Sequence, residues 1–284
     1  MFKAFNFKEI KEFQENTSDF LRKNYRVIGE DLYKRQARTI SDSIDKYYVD
    51  NQKKILDGAH IMEEWFPQVK SHIFISHSHT DIDAIYELVG YLYAEFNIKA
   101  FVDAAVWGYA DKLLQKIDDD HCYQNSTSTY NYPKRNITTS NVYLMLLNSL
   151  HSMIDNTECV FFIDTPNSVK SIPDQFDGAT YSPWIFSELN IVEKIRIKKP
   201  FRPYELKFER RDTAFEPVQE SVQVIYDIEK QLSNLEPLSF NDLSRWEKIK
   251  ETSPDMTAER NLDRLYDIKG WLEHGQRREA RSFT

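Results

Sequence analysis

A strand–helix–strand unit in the first half of the chain is the feature that most limits its fold. The apolar run 72–76 (HIFIS) predicts a buried strand, and a second apolar run at 98–102 predicts another. The residues between them recur at helical spacing behind an N-cap at Thr80 or Asp81: Ile82, Ile85, Leu88, Val89, Leu92 and Phe96. Because parallel strands need such a crossover helix, the unit predicts a parallel sheet.

Further apolar runs extend this predicted sheet. A third buried strand is predicted at 159–163 (CVFFI), and two weaker strands are predicted near 206–208 and 222–226. Helices are predicted over four further stretches, at 142–154, from Ser182 onward with Ser182 as N-cap and Pro183 at the first helical position, at 239–250 and at 257–272. The pattern predicts a three-layer, flavodoxin-like α/β domain with a mostly parallel sheet of about five strands.

The domain is predicted to have helical flanks. Residues 1–68 predict an N-terminal helical segment, 69–250 the α/β domain, and 251–284 a C-terminal helical tail. Within the domain, the polar and turn-rich residues 119–140 predict an insertion or long loop.

The composition excludes several classes of protein. A formal net charge of −8 disfavours a nucleic-acid partner. No stretch approaches the ~18 apolar residues of a membrane span, and the first residues lack the apolar core of a secretory signal. The two cysteines, Cys122 and Cys159, fit a reducing compartment, so we expect a cytoplasmic protein. The sequence has neither GxGxxG nor GxxxxGKS/T, so a nucleotide would have to be bound without these loops.

His77, His79 and Asp81 form an HxHxD pattern directly after the first predicted strand. Two imidazoles and a carboxylate at this spacing hold zinc in metallo-β-lactamase-like hydrolases. The next ligand position of that motif is Ile82 here. The other histidines considered lie in no ligand-like pattern: His121, His151 and His274. We therefore predict no metal site, keep a zinc hydrolase as a lesser alternative, and expect these polar residues to cap the following helix.

Four segments resemble, in order, the motifs of the TIR (Toll/interleukin-1 receptor) domain. FISHSHTD at 74–81 is similar to the first strand and loop of the family, and AFVDAAVWG at 100–108 to its second strand and the start of its BB loop. CVFFIDTPNS at 159–168 and SPWIFSEL at 182–189 are similar to its third strand and its S-x-W-x-x-x-E-L helix. The helical flanks are similar to those of bacterial anti-phage TIR proteins of the Thoeris type.

The resemblance implies an enzyme that cleaves NAD⁺ at the nicotinamide–ribose bond, with NAD⁺ as substrate and no cofactor. Glu188 matches the catalytic glutamate of the family, and Trp184 lies four residues earlier on the same helical face. The motif match places further substrate-binding residues at Phe74, Ser76, His77, Asp103 and Trp107. Asp103 and Trp107 lie where the BB loop would close over the site.

Other roles stay open at this point. Glu188 could be a solvated helix charge, Trp184 and Trp107 packing residues, and Asp103 a loop cap. The resemblance implies self-association through the TIR domain and an ADP-ribose product, free, cyclised or conjugated. No nuclease, pore or protease motif is legible in the sequence, which favours a signal read by a separate effector protein. The main alternative is a non-catalytic adaptor that acts through TIR–TIR assembly.

Overall fold

The chain folds around a parallel β-sheet, described by a computed structural model over residues 1–36, 44–102, 104–173, 175–200, 224–252 and 256–271. The strands are β1 (Lys3–Phe7), β2 (Ile73–Ser76), β3 (Ala100–Val102), β4 (Tyr123–Gln124), β5 (Thr129–Tyr130), β6 (Cys159–Ile163), β7 (Lys170–Ile172), β8 (Phe176–Thr180), β9 (Tyr226–Asp227) and β10 (Glu236–Leu238). The helices are α1 (Ile10–Asn16), α2 (Asp19–Gln36), α3 (Gly58–Trp65), α4 (Ile82–Phe96), α5 (Ala104–His121), α6 (Tyr132–Asn156), α7 (Pro183–Lys194), α8 (Glu229–Ser233), α9 (Phe240–Glu251) and α10 (Ala258–Ile268).

Five strands form the central sheet in the order β3-β2-β6-β1-β10, and every neighbouring pair is parallel. The register aligns Phe74 with Val160, and Val160 with Ala4. The predicted flavodoxin-like α/β fold with a mostly parallel five-stranded sheet is confirmed. Two small antiparallel sheets, β4-β5 and β7-β8-β9, lie outside the central one.

Helices cover both faces of the sheet, because successive strand residues point to opposite sides. Ile73 and Ile75 belong to the core beneath α1, α2, α4, α9 and α10, which we call the α4 face. Phe74 belongs to the core beneath α3, α5, α6, α7 and α8, which we call the α7 face. The predicted crossover helix is confirmed as α4, which buries Ile85 and Leu88 against the sheet.

On the α4 face, α2 and α4 touch backbone to backbone. A Cβ atom added to Gly29 would lie 2.0 Å from the carbonyl oxygen of Tyr86, and one added to Gly90 would lie 1.8 Å from that of Tyr25. Neither distance is compatible with a side chain, so glycine at both positions is what allows the two helices to approach this closely.

The N-terminal segment, predicted to be helical over 1–68, contains α1, α2 and α3 but begins with a strand that was not predicted. Residues Lys3–Phe7 form β1, which lies between β6 and β10 inside the sheet. A strand buried on both faces usually reads as a continuous apolar run, and Lys3 and Asn6 interrupt this one. The C-terminal segment is likewise part of the domain, since α10 buries Leu262 and Leu265 in the core of the α4 face.

The fifth strand of the central sheet lies where no strand was predicted. The outer strand is β10, whose Pro237 weakened its strand signal, although proline is tolerated at a sheet edge. Near 222–226, Tyr226 begins β9 of the small antiparallel sheet. The strand predicted at 206–208 lies outside the described residues.

The segment 119–140, predicted as an insertion or long loop, has regular structure over most of its length. It contains the end of α5, the β4-β5 hairpin and the first turns of α6, whose N-cap Asn131 accepts a hydrogen bond from the Lys134 amide. Its polar residues are solvated because the segment is exposed on nearly all sides. Across the described residues, no helix is both long enough and apolar enough to cross a membrane.

Candidate functional site

Two motif segments meet at the carboxyl edge of the sheet, between β2 and β6. The chain leaves β2 into α4 on one face, and after β6 it reaches α7 on the opposite face. In open α/β sheets, ligands bind in a crevice at the strand ends where connections diverge in this way.

At this edge of the sheet, Ser76 and Glu188 form a buried hydrogen bond. Ser76 is the last residue of β2, and its Oγ donates to Glu188 Oε2 at 2.6 Å. The two residues are 112 positions apart in sequence, and their side chains are 0 % and 1 % exposed. A carboxylate so deeply buried is rare in a core, and such groups are often functional.

The position of Glu188 follows from how α7 begins. Ser182 is the predicted N-cap, its Oγ accepting from the Ile185 amide, and Pro183 occupies the first turn as predicted. Ile185 and Leu189 bury one face of α7 against the sheet, which turns Glu188 inward as well. Glu188 therefore lies inside the domain and is not a solvated helix charge.

Trp184 lies one turn before Glu188 and is half-buried. Its ring contacts that of Tyr143 on α6, with centroids 5.6 Å apart. Burial raises the pKa of Tyr143, so the Tyr143 hydroxyl is protonated at neutral pH. Trp184 thus combines a packing contact with a position next to the buried carboxylate.

Phe74 and His77 lie on either side of Ser76 in sequence. Phe74 is fully buried and packs its ring on Phe101 of β3, with centroids 5.6 Å apart, so it forms the floor beneath the site. His77 is 1 % exposed and directly follows the strand. The structure therefore brings Phe74, Ser76, His77, Trp184 and Glu188 to one end of the sheet.

The segment predicted as a BB loop is helical, because α5 begins at Ala104, two residues after β3 ends. Trp107 therefore lies in the first turn of a helix and not in a closing loop. The side chain of Trp107 and the whole of Asp103 lie outside the described residues.

Asp81 of the HxHxD pattern ties two loops together. Its Oδ2 accepts from Thr165 Oγ1 and its Oδ1 from Asn167 Nδ2, each at 2.6 Å. These bonds join the loop after β2 to the loop after β6 across the crevice. Within the described part of the chain, no group of three His, Cys, Asp or Glu residues is placed to hold a metal ion.

A second polar site at this edge was not predicted from the sequence. A cleft of about 480 Å³ opens beside the ends of β1 and β10, and we call it the β1 cleft. Asn6 of β1 lines it and donates from Nδ2 to Asp164 Oδ2 at 3.0 Å. A polar residue inside an aromatic strand was the available signal, but it was missed together with the strand itself.

Comparisons with known proteins give no identification of the chain. A scan against protein-family models, a search of curated proteins and a search of solved structures each found no match. The fold, the buried site and the motif resemblance are therefore the basis of any functional proposal.

Proposed function

We propose that this chain cleaves NAD⁺ at the nicotinamide–ribose bond, with Glu188 as the catalytic carboxylate. The observation that supports the proposal most is the 2.6 Å hydrogen bond from Ser76 to Glu188. It joins two segments that separately resemble TIR motifs, and it lies in a crevice of the kind that binds ligands in flavodoxin-like sheets. No sequence spacing alone requires that contact.

The chemistry needs few groups. The bond from C1′ of the ribose to the pyridinium nitrogen breaks, and its electron pair neutralises that nitrogen, so nicotinamide leaves without a proton from an acid. The ribose develops oxocarbenium character, which a nearby carboxylate stabilises. Water then adds to C1′ and loses a proton, which gives ADP-ribose. A hydroxyl of the substrate can replace water and give a cyclic product.

Each residue has a role in this scheme. Glu188 faces the developing positive charge, and Ser76 holds the carboxylate by its hydrogen bond to Oε2. The Trp184 ring, one helical turn away, offers an aromatic plane to the cationic pyridinium. His77 and Phe74 complete the wall at the end of β2. The pyridinium cation of NAD⁺ is thus held next to Glu188, where it loses its charge in the reaction.

The burial of Glu188 implies a resting state that admits no substrate. With Ser76 and Glu188 at most 1 % exposed, NAD⁺ enters only after neighbouring segments move apart. Self-association is the proposed trigger, and the ADP-ribose product is proposed to signal to a separate effector protein. We place the reaction in the cytoplasm, which suits the free cysteines Cys122 and Cys159.

The test compares wild type with Glu188→Gln at high protein concentration, with and without a crowding agent. Nicotinamide and all ADP-ribose species are followed by mass-resolved chromatography. The wild type is expected to release nicotinamide, and Glu188→Gln to lose at least ~100-fold in rate because it lacks the stabilising charge. Glu193→Gln, on the same helix but in a surface ion pair with Lys230, is the matched control and keeps its activity.

Either of two results would reject the proposal. Glu188→Gln as active as wild type would mean that another group carries the reaction. No nicotinamide release by the wild type under any of these conditions would favour the second candidate, a non-catalytic adaptor. One observation supports that adaptor, namely a row of exposed apolar side chains on α6 suited to assembly: Ile137, Leu144 and Leu147.

A further inference from the structure

The β1 cleft has the features of a small-molecule site that is separate from Glu188. It opens at the carboxyl ends of β1 and β10, and β1 is two strands away from β2 in the sheet. Neighbouring strands are about 4.8 Å apart, so roughly 10 Å separate the ends of β1 and β2. Its volume of about 480 Å³ is in the usual range of ligand pockets.

Asn6 lines the cleft and carries a buried acceptor. The residue is 7 % exposed, and its Nδ2 donates to Asp164. Because an ionised carboxylate only accepts, the amide nitrogen must face Asp164, which leaves Oδ1 on the other side. Asn6 Oδ1 is buried and has no hydrogen-bond partner in the part of the chain that the structure describes. A buried acceptor without a donor is costly, and a ligand N–H would satisfy it.

The two acidic residues that line the cleft are already engaged by the protein. Glu9 Oε2 accepts from the Phe240 amide at 2.7 Å. Asp242 accepts from the Ser239 amide at 3.0 Å and from Lys269 at 3.1 Å. Although burial acts to raise the pKa of Asp242, these hydrogen bonds outweigh it and the pKa is lowered.

A largely exposed cation and an apolar wall also line the cleft. Lys8 has a side chain that is 69 % exposed, and its ammonium lies 3.4 Å from Asp164. Leucines from α8, from the segment after it and from β10 line the cleft: Leu232, Leu235 and Leu238. The lining of the cleft therefore combines an acceptor without a partner just beneath its surface, an apolar surface for a flat body, and a positive charge at its exposed side.

We propose that the β1 cleft binds an adenine nucleotide. The 6-amino group of the base donates to Asn6 Oδ1, as asparagine commonly accepts from adenine. The ring lies against the leucines, and the phosphate pairs with Lys8. The inference is independent of NAD⁺ cleavage, since it uses none of the residues around Glu188.

The test is isothermal titration of the full chain with three ligands. These are AMP, purine riboside 5′-monophosphate, which lacks only the 6-amino group, and adenosine, which lacks only the phosphate. AMP is expected to bind about tenfold more tightly than each of the other two, the value of one hydrogen bond or one partly exposed charge contact. Lys8→Ala is expected to weaken AMP to the level of adenosine and to leave adenosine unchanged.

Two further variants test the location of binding without removing a buried group. Ser233→Trp fills the cleft from an exposed position on α8 and should abolish binding of AMP. Ser152→Trp places the same ring on an exposed site of α6 and should have no effect. Asn6→Ala is also made, with circular dichroism to check its fold, and should weaken AMP to the level of the purine analogue.

Three results would overturn the proposal. They are the absence of AMP binding by wild type, equal affinity for AMP and the purine analogue, and AMP binding that survives Ser233→Trp but is lost in Trp184→Ala. The last would place AMP in the crevice beside Glu188. Because binding is measured without NAD⁺, a failure here leaves the proposed cleavage standing, and loss of the cleavage proposal leaves this one standing.

Discussion

The two faces of the sheet are built on different principles. On the α4 face, α2 and α4 meet at backbone distance through Gly29 and Gly90, and Phe96 stacks on Trp246 with ring centroids 3.9 Å apart. On the α7 face, helices meet through side chains, and the core beneath α7 contains the Ser76–Glu188 hydrogen bond. The α4 face thus brings two helices into backbone contact, whereas the α7 face carries a buried polar pair at the carboxyl edge of the sheet.

Two buried glutamates show this difference in detail. Glu87 on α4 accepts from Arg22 Nε at 3.0 Å, from Arg22 Nη2 at 3.2 Å and from Gln14 Nε2 at 2.9 Å. Its hydrogen bond raises the pKa of Arg22, as expected for a stable ion pair. Glu188 on α7 accepts from the Ser76 hydroxyl, a neutral group. Glu87 thus joins three helices, and Glu188 joins α7 to the end of β2.

The largest predicted effect on stability is that of a substitution on the α4 face. Gly90→Ala would put a methyl group 1.8 Å from the Tyr25 carbonyl, so α2 and α4 must separate. We expect a loss of at least ~3 kcal/mol in the free energy of unfolding, measured by urea denaturation with circular dichroism. A variant of normal stability would show that the two helices are not in backbone contact.

The same substitution on the α7 face provides the control. A Cβ atom on Gly58, in the first turn of α3, would lie 3.6 Å from Met145 Sδ, which is an ordinary contact. Gly58→Ala is therefore expected to be neutral or stabilising by up to ~1 kcal/mol, because alanine loses less entropy in a helix.

Replacing each of the two buried glutamates by glutamine should have smaller and unequal effects on stability. Glu87→Gln keeps the shape but loses the charge that Arg22 needs, and it should cost about 2–3 kcal/mol because Arg22 is partly exposed. Glu188→Gln should change stability by less than ~1 kcal/mol, since Ser76 can donate to an amide oxygen as well. Equal losses in urea denaturation would assign Glu188 a structural role and argue against catalysis.

The sequence predicted the central helix of the α4 face but missed other parts of that face. The spacing of the apolar residues from Ile82 to Phe96 predicted α4 correctly, because a helix that packs on one sheet has a single apolar stripe. In contrast, β1 escaped notice because Asn6 and Lys3 interrupt its apolar pattern. The close approach at Gly29 and Gly90 depends on two residues far apart in sequence, which periodicity cannot detect.

The candidate site was predictable only where a motif preceded it. The S-x-W-x-x-x-E-L pattern, with its Ser182 cap, gave the start of α7 and the shared face of Trp184 and Glu188. The hydrogen bond between Ser76 and Glu188 could not be predicted in this way, because it depends on the order of the strands in the sheet. Local sequence does not encode that order. A family pattern can also mislead. It suggested a loop after β3, whereas the helix α5 begins there at Ala104.

The smallest predicted effect is a pH dependence at the amino end of β2. His72 Nδ1 accepts from the Lys99 amide at 3.0 Å, and burial lowers the pKa of His72 although Glu259, on α10 of the α4 face, acts to raise it. Between that lowered value and the ordinary 6.5, the unfolded chain binds more protons. Stability should therefore be complete above pH 6.5 and fall as the pH decreases through this window.

Two variants test this assignment from opposite directions in urea titrations between pH 7 and pH 5. His72→Asn keeps an acceptor for the Lys99 amide but cannot be protonated, so its stability should fall less with decreasing pH than that of wild type. Glu259→Gln removes the carboxylate that opposes the effect of burial, so the pKa of His72 drops further and the decline steepens. If Glu259→Gln flattened the decline instead, the pair would act mainly as an ion pair that joins α10 to the sheet, and burial would not be the dominant cause.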